Sequence, residues 1–168
     1  MLIKKDRNIA VKVDYIIVGA GIFGLYAASI LVKRGKKVAI IDESLKSFSR
    51  ASAINQARVH NGYHYPRSYA TAQSAAYYYS RFIKNFDFAI NNSFKQIYAI
   101  AKNGSKTSAE EFIDFCKAVG IPLQGIDSNL YFKKNSVEAS FLTQECSFNF
   151  TKIKNYLLRE IGDSAMIF

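Results

Sequence analysis

Three observations predict an α/β fold for this chain. An apolar run, Tyr15-Ile16-Ile17-Val18, leads straight into a glycine triplet, Gly19, Gly21 and Gly24. A helical pattern follows, and a second apolar run, Val38-Ala39-Ile40-Ile41, then ends on Asp42. Strand, turn, helix and strand in that order form a βαβ unit. Apolar runs without alternation are what a parallel sheet covered on both faces requires, so both strands are expected to be buried. The expected core is therefore a Rossmann-like nucleotide-binding domain.

Each part of that unit has a physical reason. Gly19 permits the tight turn, Gly21 lets the backbone approach a pyrophosphate, and Gly24 lets the helix pack closely on the strand. The helix is predicted to begin near Ile22, so its free amides and positive dipole end face the phosphates. Gly19, Ala20, Gly21, Ile22, Phe23 and Gly24 thus form the predicted cradle for a dinucleotide. Ala27, Ala28 and Leu31 are predicted to make a small-residue face against the sheet, and Gly35 to stop the helix. The cations Lys33, Arg34, Lys36 and Lys37 gather where the dipole favours them, and that is read as their whole role. Asp42, with Glu43 beside it, stands about 20 residues past the glycines, where a carboxylate accepts ribose hydroxyls and repels a 2′-phosphate. That excludes NADP.

Length and composition fit one globular core: 168 residues, 49% hydrophobic and 14% aromatic, are too apolar for a disordered chain. Charge interrupts every apolar stretch before it reaches membrane-spanning length, so no integral membrane segment is expected. Residues 1–13 carry Lys4, Lys5, Asp6, Arg7 and Lys12 with no apolar core behind them, and a cytoplasmic location is expected. Cys116 and Cys146 lack both metal spacing and disulfide density, and read as reduced core residues. The formal charge of +10 is spread from Lys4 to Arg159 rather than gathered in one stripe. It fits attraction of an anionic small molecule better than nucleic acid, and no nucleic-acid partner is expected.

After Asp42 a polar, serine-rich loop covers residues 43–52, and residues 53–68 then concentrate unusual chemistry. Both histidines, His60 and His64, lie there with Arg58, Arg67, Tyr63, Tyr65, Asn55, Val59 and Gly62. Such a density of donors and rings reads as a site-lining loop or short strand. His60 and His64 would share a helix face, but Gly62 and Pro66 oppose a helix, so no metal site is expected.

An amphipathic helix is predicted over 68–86, with Tyr77, Tyr78 and Tyr79 pointing in different directions. A strand follows over 94–101, ended by Asn103-Gly104. Thr107 with Glu110 reads as a capping box for a helix facing inward through Phe112, Phe115, Cys116 and Val119, closed by Gly120 and Pro122. Leu130-Tyr131-Phe132 and 139–143 read as short pieces of sheet. Asn149 caps a helix with Phe150, Ile153, Leu157 and Ile161 inward, Gly162 ends it, and Ala165-Met166-Ile167-Phe168 begins another strand.

The glycine fingerprint with its acid, followed by the 55–68 segment, resembles the D-amino-acid-oxidase-like (DAO) superfamily of FAD-dependent oxidoreductases. The likeness is nearest to its L-2-hydroxyglutarate dehydrogenase and oxidase branch, through Asn55, Val59-His60, Gly62, Tyr65 and Ser68. The chain departs from that branch at Ala57-Arg58, where Ser-Gly is usual, in its added His64, and at Asp42, where most of these flavoproteins carry Glu. The resemblance covers the front part of a family member. It implies an incomplete Rossmann-like FAD/NAD(P)-binding domain over 12–92 and 148–168, and part of an interleaved α+β substrate domain over 93–147.

It further implies FAD as cofactor and a small hydroxy acid or amino acid as substrate. Residues 55–68 would run beneath the flavin, with Asn55, Arg58 and Val59 touching the cofactor. His60 would contact the isoalloxazine or take the substrate's hydroxyl proton, and His64 and Arg67 would meet the substrate; Arg58 and Arg67 are both candidates for a fork holding a substrate carboxylate or the FAD pyrophosphate. Two other readings stand beside it: an NAD-dependent dehydrogenase, which would not be yellow, and a truncated, inactive nucleotide-binding fragment.

Overall fold

The computed structural model describes residues 11–44, 47, 48, 50–54 and 56–168, with backbone alone at 53 and 54. In chain order its elements are β1 (Tyr15–Val18), α1 (Ile22–Lys33), β2 (Val38–Ile41), α2 (Ala51–Ile54), β3 (Arg58–Val59), α3 (Tyr69–Asn85), β4 (Ile90–Asn91), β5 (Gln96–Ala101), α4 (Ala109–Val119), β6 (Leu123–Ile126), β7 (Val137–Thr143), β8 (Cys146–Phe148), α5 (Phe150–Ile161) and β9 (Ala165–Ile167). They fall into two compact units: Met1–Asn55 with Phe150–Phe168, and Gln56–Asn149. Residues 56–92, read from the sequence as part of the nucleotide-binding portion, pack within the second unit.

The first unit is the parallel sheet the sequence predicts, in the order β1-β2-β9. Tyr15 lies opposite Val38 and Val18 opposite Ile41, so the glycine turn and Asp42 leave adjacent strands at the same end. β2 is central, and Val38 and Ile40 are fully buried. β1 corrects the sequence reading. It is an edge strand, and Ile16 and Val18 are exposed, Val18 by 86%. An apolar run reports a strand that can be covered on both faces, and does not show that this chain covers it.

Helix α1 packs against α5. The buried face of α1 is Leu25, Ala28 and Ser29; Ala27 is exposed, so the buried face shares Ala28 with the predicted one and is rotated from it by about 100°. Lys33 has a further role beyond the dipole, because its ammonium pairs with Glu160 of α5. α5 buries Ile153, Leu157 and Ile161, as their spacing requires.

In the second unit, a three-stranded antiparallel sheet, β5-β7-β6, packs with α4 and part of α3 around Phe112. The Phe112 ring stacks on Tyr98 at 6.2 Å and lies tilted against Phe141 at 5.5 Å. Cys116 is a free thiol in this core, its pKa pushed up to about 12 by burial, and Cys146 is likewise buried and free. The capping box of α4 lies one residue later than predicted. Ser108 Oγ accepts from the Glu111 amide at 3.1 Å, and the Ser108 amide donates to Glu111 Oε2 at 2.7 Å.

Residues 130–132 form no strand. Asp127 accepts from the Asn129 amide at 3.0 Å and opens a 3₁₀ turn over Ser128–Leu130. A second small antiparallel sheet, β3-β8-β4, joins Arg58 and Val59 to residues 146 and 147.

Candidate functional site

The glycine turn of the first unit is tightly organised. Gly19 takes φ +102°, which only glycine adopts freely, and a Cβ at Gly24 would overlap the Gly19 carbonyl oxygen. Helix α1 therefore starts closer to the strand than any side chain would allow. The Ala20 amide donates to Asp42 Oδ2 at 2.6 Å, and the Ser44 amide to Asp42 Oδ1 at 2.7 Å. These two donors, Ala20 above all, hold the Asp42 carboxyl below the usual aspartate range. Phe23 is 88% exposed, and Glu43 forms an exposed ion pair with Arg50.

One participant that the sequence reading missed is Ser52 of α2. Its Oγ accepts from the Ile22 amide at 3.1 Å, at the open end of α1, where Gly21 supplies no cap of its own. A Cβ on Gly21 would come within 3.3 Å of the same oxygen. Four serines lie in 43–52, and nothing in their spacing singles out this one. Asn55, expected at the cofactor, lies outside the described residues.

In the second unit the site-like segment centres on a buried carboxylate that the sequence reading also missed. Glu145, between β7 and β8, has no exposed side-chain surface. Its Oε2 accepts from Arg58 Nη2 at 2.6 Å and from the Tyr98 hydroxyl at 3.1 Å, and its Oε1 accepts from the Asn61 amide at 3.0 Å. Its signal in the sequence is that 139–151 contains no other charge. The fork expected of Arg58 for an external anion is thus partly committed within the chain: Nη2 also reaches the Tyr98 hydroxyl at 3.1 Å, and the guanidinium lies 5.5 Å from the Tyr98 ring centre. Burial works against the Arg58 charge, but Glu145 and Tyr98 outweigh it and raise its pKa, while burial and then Glu145 push the Tyr98 hydroxyl up.

His60 Nδ1 is buried and faces Glu145 Oε1 at 3.4 Å without hydrogen-bond geometry. Its ring stacks on His64 at 5.4 Å, and Tyr65 lies edge-on to both. His64 and Arg67 are exposed, and Val59 is buried. The predicted site residues of this segment thus separate into Arg58, held by Glu145 and Tyr98, His60, whose Nδ1 faces Glu145, and the exposed His64 and Arg67. Among the described residues no group of three or more His, Cys, Asp or Glu could hold a metal, and no helix is long and apolar enough to cross a membrane.

The family model of the FAD dependent oxidoreductases designated DAO matches residues 14–147. The chain belongs to that family. A curated relative, the FAD-dependent monooxygenase kojA of Aspergillus flavus, is 33% identical over 105 residues, which make up 60% of this chain and 24% of the relative. Among solved structures, the glycine oxidase of Geobacillus kaustophilus superposes with a TM-score of 0.70 at 16% identity, covering 93% of this chain and 46% of that one. The L-alpha-glycerophosphate oxidase of Mycoplasma pneumoniae, a structure with FAD bound, gives a TM-score of 0.71 at 17% identity, covering 93% and 44%. These likenesses are of fold. The chain spans about a quarter of the curated relative and less than half of these solved chains.

The first unit fits the family's cofactor, FAD. Gly21 brings no side chain to the start of α1, where Ser52 Oγ meets the Ile22 amide, and Gly24 permits the close turn. Asp42 uses two of its roughly four lone-pair sites on Ala20 and Ser44, which leaves acceptors for ribose hydroxyls.

Proposed function

We propose that this chain supplies the FAD-binding part of an oxidoreductase acting on a small anionic 2-hydroxy acid or amino acid, in the L-2-hydroxyglutarate branch of the family. The observation that carries the nucleotide part is the common end of β1 and β2, which puts the glycine turn within hydrogen-bond reach of Asp42. In this reading Gly19, Gly21 and Gly24 admit the pyrophosphate to the start of α1, and the Ser52 hydroxyl, which accepts from the Ile22 amide, keeps its O–H to donate. Asp42 takes the ribose hydroxyls, and Glu43 lies beside it. Bound FAD would supply the two-electron acceptor for a C–H bond next to a hydroxyl or amine.

The second unit contributes the proton chemistry. His60 receives the proton of the substrate hydroxyl, and Arg67 and His64, both exposed, meet the substrate's negative charge. The surplus of 23 basic over 13 acidic residues supports an anionic substrate. Since the chain spans less than half of the solved oxidases it resembles, a second reading is that these 168 residues bind nucleotide without turnover.

One experiment tests both. FAD is titrated into the chain and into Gly21→Val, following flavin fluorescence. L-2-hydroxyglutarate or glycine is then added without oxygen, and bleaching of the flavin band is recorded. The nucleotide reading expects binding at least about tenfold weaker in the variant, a difference of roughly 1.4 kcal/mol. Equal binding defeats it. Bleaching by the hydroxy acid but not by glycine favours the proposed branch, and binding without bleaching favours the second reading.

A further inference from the structure

We propose that Glu145 is a positioning residue for His60: it holds the ring proton on Nδ1 and so leaves Nε2 as the proton acceptor. This rests on the reading of His60 as the base, and says which nitrogen acts and why. Glu145 is fixed before His60 is considered, since Arg58, Tyr98 and the Asn61 amide already donate to its two oxygens. Two further bonds staple residues 60–63 to the same turn. Asn61 Nδ2 donates to the Gln144 carbonyl at 3.2 Å, and the Gln144 amide donates to the Tyr63 hydroxyl at 3.3 Å. The carboxylate and the backbone carrying His60 are therefore held together from both sides.

Against that fixed charge the two neutral tautomers differ sharply. With the proton on Nδ1, an N–H faces Oε1 from 3.4 Å, and a small turn about the soft terminal torsion of histidine completes a charge-assisted hydrogen bond. With the proton on Nε2, a lone pair would face a carboxylate in a buried setting where water cannot screen it. The proton bound to one ring nitrogen is set by the partner of the other, so Glu145 selects Nε2 as the free acceptor. Arg58 serves this indirectly by donating to Glu145 Oε2 at 2.6 Å, which sets a cation against the buried carboxylate. A Glu145 that were only a counter-ion to Arg58 would leave the tautomer untouched, and this separates the two roles.

The chain contains only two histidines, so nitrogen-15 NMR resolves them, and His64→Gln leaves His60 alone. The spectrum is recorded on the 168-residue chain at pH 8, above the ordinary imidazole range of about 6.5. The expected pattern is a proton on Nδ1, favoured by about tenfold or more. The double variant Arg58→Met/Glu145→Met removes the carboxylate without stranding a charge, and the preference should collapse. A proton on Nε2, or a ring still doubly protonated at that pH, overturns the proposal, as does a double variant that keeps the parent's preference. Should the double variant fail to fold, the spectrum of the otherwise unaltered chain decides. No flavin or substrate enters the measurement. An Nδ1–H ring in a chain that never bleaches flavin would count against the functional reading and leave this inference standing.

Discussion

Arg58 Nη2 donates to Glu145 Oε2 at 2.6 Å across 87 residues of chain, and the pair joins β3 to the turn before β8. Glu145 is wholly buried, whereas Arg58 keeps about a quarter of its side chain in water. Breaking one side of such a pair strands the other charge, while replacing both need not. Arg58→Met should therefore lower stability by about 3 kcal/mol, the low end of the range for a buried pair. The double variant with Glu145→Met should recover at least half of that. Urea denaturation measures both, and a double variant less stable than Arg58→Met would show that the charges stabilise the fold.

Glycines give a graded series. A Cβ at Gly24 would overlap the Gly19 carbonyl, which is rigid backbone, so Gly24→Ala should cost more than about 2 kcal/mol. At Gly62 a Cβ would meet the Ala72 carbonyl oxygen at 2.8 Å, with φ at +100°, and a loss of about 1 to 3 kcal/mol is expected. Gly125 in β6 has nothing within 4 Å and no positive φ, and Gly125→Ala should be neutral or gain about 0.5 kcal/mol from the stiffer unfolded chain. Thermal melts order the three, and a Gly24→Ala as stable as Gly125→Ala would refute the close approach.

The nucleotide half was legible because each of its signals is local. An apolar run, a glycine triplet and an acid about 20 residues on describe one continuous unit, and the structure has them in that order. The burial of β1 was not legible, because exposure depends on what lies over the strand. The histidine segment was legible as unusual, but its organising residue was not. Glu145 lies 85 residues beyond His60, and only the pairing of β3 with β8 brings them together. Sequence distance of that size hides a contact from any reading of spacing, although the lone charge in an apolar stretch marked Glu145 as worth a partner.

The α4 cap shows a different limit. Thr107-Ser108-Ala109-Glu110-Glu111 satisfies the capping-box spacing twice, as Thr107 with Glu110 and as Ser108 with Glu111, so the pattern cannot choose. The structure chooses Ser108, and it ties the Thr107 carbonyl to the Ser105 hydroxyl at 2.6 Å instead. Ser108→Ala should lose about 1 kcal/mol and Thr107→Ala no more than about 0.5 kcal/mol. Chemical denaturation of the two variants would reverse the assignment if their order were inverted.

The acid behaviour of Asp42 provides a last check on the turn it closes. The Ala20 and Ser44 amides hold its carboxyl below the usual value of 3.8, so the folded chain gives up this proton more readily than the unfolded chain does. A depressed folded pKa stabilises the fold above the unfolded value, and that contribution fades as pH falls through the folded one. Asp42→Asn carries no such titration. Parent and variant should differ in stability near neutrality, with the parent the more stable, and the gap should narrow as pH falls from the unfolded value of 3.8 through the lower folded one. Glu160, whose carboxyl the Lys33 ammonium holds low, titrates in the same region but is common to both chains and cancels in the difference. Denaturation at a series of pH values measures the gap, and one that stayed constant across that range would mean that the folded Asp42 carboxylate receives nothing from the Ala20 and Ser44 amides.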